Sequence, residues 1–124
     1  MVINAKGQNV KPGNREIHTA KNFDKDFHLK LEFRASPKSD SGFYLRGRQL
    51  QVRDYPTMGP YKNLKKFKDG DWNVLEVVMK DSVAVCTCNG ELLTNNFKIP
   101  ASGDIGMQAE IGKFEYRRVR IKEQ

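Results

Sequence analysis

The stretch HLKLEFRA, residues 28–35, decides the fold because its side chains alternate strictly between two kinds. Leu29, Leu31 and Phe33 would share one face of an extended strand, and the charged or ionisable residues between them would share the other. The turn-forming stretch SPKSDSG, residues 36–42, follows and ends the strand. This pattern predicts a strand that is half buried, with one face on a core and one in solvent.

The same period of two recurs along most of the chain. Segment 55–71 interrupts the alternation with prolines, glycines and lysines, which predicts a loop with a helical turn near residues 62–67. Asn89-Gly90 is the signal of a hairpin with a two-residue turn. Further strands are predicted at residues 15–19, GFYLRG (42–47), QLQVRD (49–54), WNVLEVVMK (72–80), SVAVCTC (82–88), ELLTNNFKI (91–99), DIGMQAEI (104–111) and FEYRRVRI (114–121). About eight to ten short strands and no long amphipathic helix predict an all-β fold, an antiparallel sandwich of two packed sheets.

Length and composition limit the alternatives. A chain of 124 residues is expected to form one domain, residues 1–124. No apolar run approaches the roughly 20 residues of a membrane-spanning helix, and MVINAKGQNV at the start lacks the apolar region of a secretory signal. The net charge of +7 is consistent with an anionic partner that binds the lysines of loop 62–68, but no nucleic-acid-binding motif accompanies them, which argues against nucleic acid.

The sequence contains few residues that could bind a metal ion or act as a catalytic nucleophile. Cys86 and Cys88 are one residue apart, a spacing that suits neither a redox pair nor a zinc site, so we expect buried free thiols. His18 and His28 lie on separate predicted strands, and no serine has the context of a nucleophile elbow. We therefore expect neither a metal site nor a cofactor.

The order of several segments is similar to that of a known family. The segments are DFHLKLEFR, SGFYLRGR, QLQVRD, DWNVLEVVMK, CNGELL, GDIGMQ and YRRVRIKE, between Asp26 and Glu123. Read together, they resemble the 3-keto-disaccharide hydrolase family, whose members form a concanavalin A-like jelly-roll sandwich. The resemblance implies carbohydrate handling outside the cytoplasm, typically as a module of a larger secreted protein. Members usually carry longer loops where this chain has only residues 55–71.

The resemblance also raises the question of catalysis. The family's third strand typically has a glutamate where this chain has Gln49, and an amide cannot exchange a proton near neutral pH. The family often has a histidine where this chain has Glu110. The remaining candidates for a catalytic base, expected on the same side as the motif, are Glu32, Glu76 and Glu110, and Asp54 is a further carboxylate expected on that side. Each is explained equally well as the partner of a nearby arginine or lysine.

A ligand-binding surface is predicted on the strand faces that point away from the core. Because Phe43 and Leu45 would fill the core, Tyr44 and Arg46 are expected on the opposite face. Polar and aromatic side chains together can bond sugar hydroxyls and pack on a sugar ring. The residues assigned to this surface are Tyr44, Arg46, Gln49, Gln51, Arg53, Trp72 and Gln108.

Three functions remain open at this stage, beside the possibility that the chain is a scaffold or an engineered minimal form with no ligand of its own. The first is a carbohydrate-binding or carbohydrate-active sandwich domain with doubtful catalysis. The second is an active hydrolase or lyase on 3-keto glycosides, with one of the three glutamates as base. The third is a basic module that binds an anionic polymer through the loop lysines, with an affinity that falls steeply with salt.

Overall fold

The structure is a computed structural model that describes residues 2–4, 15–19, 22–111 and 113–123. Ten strands and one helical turn follow one another in these residues. They are β1 (Val2–Asn4), β2 (Arg15–His18), β3 (Phe27–Ala35), β4 (Asp40–Leu45), β5 (Arg48–Arg53), α1 (Tyr55–Met58), β6 (Trp72–Lys80), β7 (Val83–Cys88), β8 (Glu91–Lys98), β9 (Ile105–Ile111) and β10 (Lys113–Glu123).

The strands form two antiparallel sheets. The six-stranded sheet has the order β1-β10-β3-β6-β7-β8, and the four-stranded sheet has the order β2-β9-β4-β5. The antiparallel two-sheet sandwich that the sequence predicts is therefore confirmed. β1 was not predicted, because three residues are too few for a period of two to be recognised.

The core lies between the two sheets and follows from the alternation. Phe27, Leu29, Leu31 and Phe33 of β3 are at most 1% exposed, whereas the residues between them are half-buried or exposed. Every second residue of β5, β6 and β7 is buried in the same way, and in β4 all residues except Tyr44 are buried. Burial of such side chains stabilises the fold by roughly 1.5–3 kcal/mol each, before conformational entropy is counted.

Three hairpins are closed by two-residue turns in which both residues have positive φ. Asn89 and Gly90 have φ of 52° and 81°, as the Asn-Gly signal predicts. Arg46 and Gly47 have φ of 54° and 87°, and the turn between β6 and β7 also has two positive φ angles. This conformation matches the right-handed twist of the paired strands, so these turns fix the register of each hairpin.

The segment between β5 and β6 covers one end of the core. Its helical turn is at Tyr55–Met58, where Pro56 is preorganised for the first turn of a helix. The prediction of a helical turn at residues 62–67 is wrong, because the backbone there bonds to side chains of the six-stranded sheet instead. Glu91 accepts hydrogen bonds from the backbone N–H groups of Lys65 and Lys66 at 2.9–3.1 Å.

Asn73 is the main anchor of this segment and is fully buried. Its Oδ1 accepts from the Lys68 N–H at 2.8 Å and from Nδ2 of Asn89 at 2.9 Å, and its Nδ2 donates to the carbonyls of Lys68 and Asp71. A buried amide with all these groups satisfied holds a polar backbone segment against the end of an apolar core.

The two cysteines are packed in the core as free thiols, which confirms the prediction. Both side chains are almost fully buried, and burial raises the pKa of the Cys86 and Cys88 thiols to about 12. The thiolate is therefore scarce at neutral pH, and nucleophilic or metal-binding chemistry at these residues is disfavoured.

Replacing Asn73 is expected to destabilise the fold strongly. Asn73→Ala leaves buried backbone groups without partners, and we expect it to lower the free energy of unfolding by about 2–4 kcal/mol. The matched control is Asn95→Ala, at an exposed position of β8, with an expected change below about 0.5 kcal/mol. Urea denaturation of both variants checks this, and equal effects would contradict the anchoring role of Asn73.

Candidate functional site

The outer face of the four-stranded sheet brings four of the predicted site residues together. Tyr44 on β4 lies opposite Gln49 on β5, and the next row places Gly42 between Gln51 of β5 and Gln108 of β9. Because Phe43, Leu50 and Val52 fill the core, their neighbours point away from it. We call Tyr44, Gln49, Gln51 and Gln108 the amide cluster.

Hydrogen bonds join three members of the amide cluster. The Tyr44 hydroxyl donates to Oε1 of Gln108 at 2.7 Å, and Nε2 of Gln49 donates to the same oxygen at 3.3 Å. The Gln108 carbonyl thus receives two donors from neighbouring strands. The three side chains hold one another in a fixed arrangement above the sheet.

Gln51 differs from its neighbours. It is half-buried, yet its side-chain amide has no hydrogen-bond partner among the residues that the structure describes, although its backbone carbonyl accepts a hydrogen bond from the Tyr55 hydroxyl at 2.7 Å. A half-buried amide presents two donors and an acceptor that water or a ligand must satisfy. Gln51 is therefore the member of the amide cluster that is best placed to meet a ligand.

Gly42 makes the arrangement of the amide cluster sterically feasible. A Cβ atom at this position would lie 2.1 Å from Nε2 of Gln49 and 2.9 Å from its Cδ and Cγ. The Gln49 side chain therefore lies across the backbone of β4, where only glycine leaves room. Sequence reasoning missed Gly42, although a glycine inside a strand pattern is the signal of such a close approach.

Arg53 lies on the same outer face, at the end nearest to α1. Its Nε donates to Asp40, which is directly opposite in β4, and its Nη1 donates to the Met58 carbonyl at 3.4 Å. The charges of Arg53 and Asp40 compensate each other, and the side chain holds the end of the helical turn. The structure therefore places Arg53 beside the amide cluster in a bonding arrangement of its own.

Arg46 does not lie on this face, so that expectation is wrong. It belongs to the β4–β5 turn and is only 4% exposed. Its guanidinium donates to the carbonyls of Pro100 and Lys25 at 3.1 and 2.6 Å and lies 5.4 Å from the centre of the Phe27 ring. The left-handed conformation at Arg46 breaks the strand alternation and turns the side chain toward the end of the sandwich. Its contacts are those of a structural link between two loops.

Trp72, Glu32 and Glu76 lie on the other side of the molecule. They point outward from β3 and β6, which belong to the six-stranded sheet, so the whole core separates them from the amide cluster. The expectation that they share a surface with Tyr44 is therefore wrong. Alternation along a strand predicts which residues point away from the core, but not from which of two sheets they point.

The two glutamates on that side bond to basic residues. Glu32 accepts hydrogen bonds from Arg117 at 2.9 Å and from Arg118 at 3.1 Å. The bond to Arg117 is the main cause that lowers the pKa of Glu32, partly offset by desolvation. Oε2 of Glu76 lies 2.5 Å from Nε2 of His28. A carboxylate held by two arginines is a weak base, and these contacts fit the cross-strand pairing that the sequence left open.

The remaining predicted carboxylates are placed as follows. Asp54 is 6% exposed, and its Oδ2 accepts from the Lys38 N–H at 2.9 Å and the Thr57 hydroxyl at 2.7 Å. It therefore stabilises the turn into α1. Glu110 lies in β9, two residues beyond Gln108, and only its backbone is described.

Two clefts lie at the end of the sandwich near α1, away from the amide cluster. Their volumes are about 310 and 320 Å³, and both are lined by Ala35, Pro37 and Gly70. Neither is lined by a member of the amide cluster.

In the described part of the chain, no group of three histidine, cysteine or acidic side chains is arranged to hold a metal ion. No helix there is long and apolar enough to cross a membrane.

The two antiparallel sheets define the class of this chain, a β-sandwich domain. More specifically, the chain belongs to the family of 3-keto-alpha-glucoside-1,2-lyase-like domains, whose model matches residues 2–122. This confirms the resemblance seen in the sequence. No curated protein sequence matches the chain.

Solved structures with the same fold have low sequence identity to this chain. A candidate glycosyl hydrolase from Parabacteroides distasonis ATCC 8503 has a TM-score of 0.73 at 19% identity, over 99% of this chain and 80% of its own. A second such structure from that organism has a TM-score of 0.70 at 17% identity, over 88% and 83%. The carbohydrate-binding module CBM66 from Bacillus subtilis has a TM-score of 0.65 at 9% identity, over 92% and 84%.

Gly42→Ala tests the geometry of the amide cluster. The added methyl group overlaps the Gln49 side chain, so we expect the Gln49 amide to be displaced and its bond to Gln108 lost while the sandwich stays folded. NMR signals of the Gln49 side-chain amide should shift clearly. The control Gly70→Ala adds backbone strain at a φ of +66° but has nothing within 4 Å of the added Cβ, so it should leave those signals in place. Unchanged Gln49 signals in Gly42→Ala would contradict the described packing.

Proposed function

We propose that this domain binds a neutral carbohydrate on the outer face of the four-stranded sheet, at the amide cluster, without cleaving it. The observation that carries the proposal is the half-buried Gln51 amide, which has no partner among the described side chains and lies beside the bonded group of Tyr44, Gln49 and Gln108. The bonded group supplies a rigid frame, and Gln51 supplies donors and an acceptor for the ligand.

Amides suit sugar hydroxyls because both groups donate and accept hydrogen bonds. Tyr44, which is half-buried and directly opposite Gly106 of β9, adds an aromatic ring that can pack on the apolar face of a sugar ring. The described side chains of the cluster carry no net charge, which favours a neutral ligand. The fold shared with a carbohydrate-binding module and with candidate glycosyl hydrolases supports the same class of ligand.

Catalysis is disfavoured by what the described residues offer. Elimination from a 3-keto glycoside requires a base that takes the proton beside the ketone while the glycosidic bond breaks and the alcohol leaves. Gln49 cannot act as a base, and on this face Asp40 is held by Arg53. Glu32 and Glu76 are on the opposite side of the sandwich.

The second candidate function is such an elimination, and the family to which the chain belongs favours it. Its base would be Glu110, whose backbone position in β9 is two residues beyond Gln108. This candidate and the binding function differ in one observable, which is whether a bound 3-keto-α-glucoside is turned over.

Titration with sugars followed by NMR tests the binding function. We expect a panel of neutral mono- and disaccharides to shift backbone signals of β4, β5 and β9 selectively. Gln51→Ala should weaken the binding of the best sugar by about 2- to 10-fold, the range of one neutral hydrogen bond. The control Thr87→Ala, on the outer face of the six-stranded sheet, should leave the affinity unchanged. Shifts confined to the six-stranded sheet would refute the proposed site.

Incubation with a 3-keto-α-glucoside separates the two candidate functions. We expect the compound to shift the signals of the amide cluster and to remain intact over hours. Release of the alcohol at a rate that falls at least 10-fold in Glu110→Gln would establish the elimination instead.

A further inference from the structure

The outer face of the six-stranded sheet carries a concentration of basic side chains that the sugar site does not use. Lys30 of β3 and Arg118, Arg120 and Lys122 of β10 are exposed and adjacent, and we call them the basic patch. The Arg118 side chain is 65% exposed and shares Glu32 with Arg117. The net charge of the chain is +7, and this patch is one place where the surplus is concentrated.

Among the residues that the structure describes, three members of the basic patch, Lys30, Arg120 and Lys122, form no ion pair with a carboxylate. Arg120 lies directly opposite Lys30, and Lys122 lies directly opposite His28. On the other side of β3, Glu76 is opposite Lys30 but bonds to His28 instead. Like charges directly opposite each other, as Lys30 and Arg120 are, destabilise a sheet, so a bound anion would offset the cost of this pair.

We propose that the basic patch is a docking surface for an acidic polysaccharide. Arg120 and Lys122 are two residues apart on one strand, which spaces their backbone positions by about 7 Å, and Lys30 is on the neighbouring strand about 4.8 Å away. The charges follow the strands across an open face, and neither of the two clefts described above is lined by them. This arrangement fits an extended chain with a repeated negative charge better than one small anion.

The same face favours an acidic polysaccharide over a nucleic acid. Single-stranded nucleic acids bind proteins by stacking their bases on exposed aromatic rings in addition to charge contacts. Among the described side chains of this face, the aromatic ring available is Trp72, and the guanidinium carbons of Arg117 and Arg34 lie 3.8 and 4.8 Å from its centre. The ring is thus engaged by arginines, and recognition here depends on charge.

Docking at this surface is independent of the proposed sugar site. The basic patch and the amide cluster lie on the outer faces of different sheets, with the core between them. Both faces can therefore be occupied at once. One face would hold the domain on a charged polymer, and the other would bind a neutral sugar.

Binding to polygalacturonate, measured at several salt concentrations between 25 and 200 mM, tests the proposal. The variant carries Lys30→Gln, Arg120→Gln and Lys122→Gln, and the matched control removes the same charge from the loop with Lys62→Gln, Lys65→Gln and Lys66→Gln. We expect the patch variant to bind at least 10-fold more weakly at low salt, with a slope of log affinity against log salt that is smaller by about 2–3. The control should keep most of the affinity.

Two further measurements make the outcome decisive. The patch variant should unfold at an equal or higher urea concentration than the parent, because the repulsion between Lys30 and Arg120 is removed. Neutral dextran should not bind at the patch, and single-stranded poly(dT) should bind more weakly than polygalacturonate at equal charge. An equal loss in the patch and loop variants, tighter binding of poly(dT), or no binding to polygalacturonate at low salt would each overturn the proposal.

Discussion

The whole structure depends on two sheets that bury their apolar side chains against each other. This constraint places alternate residues of the strands in the interior. It also gives the molecule two outer faces, one on each side of the core. One buried polar contact also crosses the interior. The Ser41 hydroxyl donates to the Val52 carbonyl at 2.7 Å, so the Tyr116 hydroxyl, 2.7 Å away, must be the donor to Ser41. Burial raises the pKa of Tyr116, which keeps this donor protonated.

Much of the fold could be predicted from the sequence because its signals are local. The alternation in residues 28–35 predicts both the strand and its buried face, and Asn89-Gly90 predicts the hairpin between β7 and β8. The grouping of most of the amide cluster could also be predicted. Tyr44, Gln49 and Gln51 are close in sequence, and one hairpin brings them to the same face.

The positions of Trp72, Glu76 and Arg46 could not be predicted correctly from neighbouring residues in the sequence. Trp72 and Glu76 have the correct phase for an outward face, but the pairing of β6 with β3 and β7 assigns them to the other sheet. Arg46 was misplaced for a different reason. A non-glycine residue in the left-handed region ends the alternation, and the sequence alone gives no sign that Arg46 adopts it. The contacts of Asn73 likewise span several segments and could not be inferred from periodicity.

The Gln49 side chain donates a hydrogen bond in its surroundings, which an ionised carboxylate at the same position could not do. Its Nε2 donates to the Gln108 oxygen, which also accepts from the Tyr44 hydroxyl. A glutamate at position 49 would bring a second acceptor toward that oxygen, so Gln108 would have to turn its amide around to donate. Tyr44, lying beside both, would then lose or exchange its acceptor. Glutamine at position 49 therefore belongs to a hydrogen-bonding arrangement of three side chains. Such an arrangement orders donors and acceptors, whereas proton transfer would require one of its members to change charge.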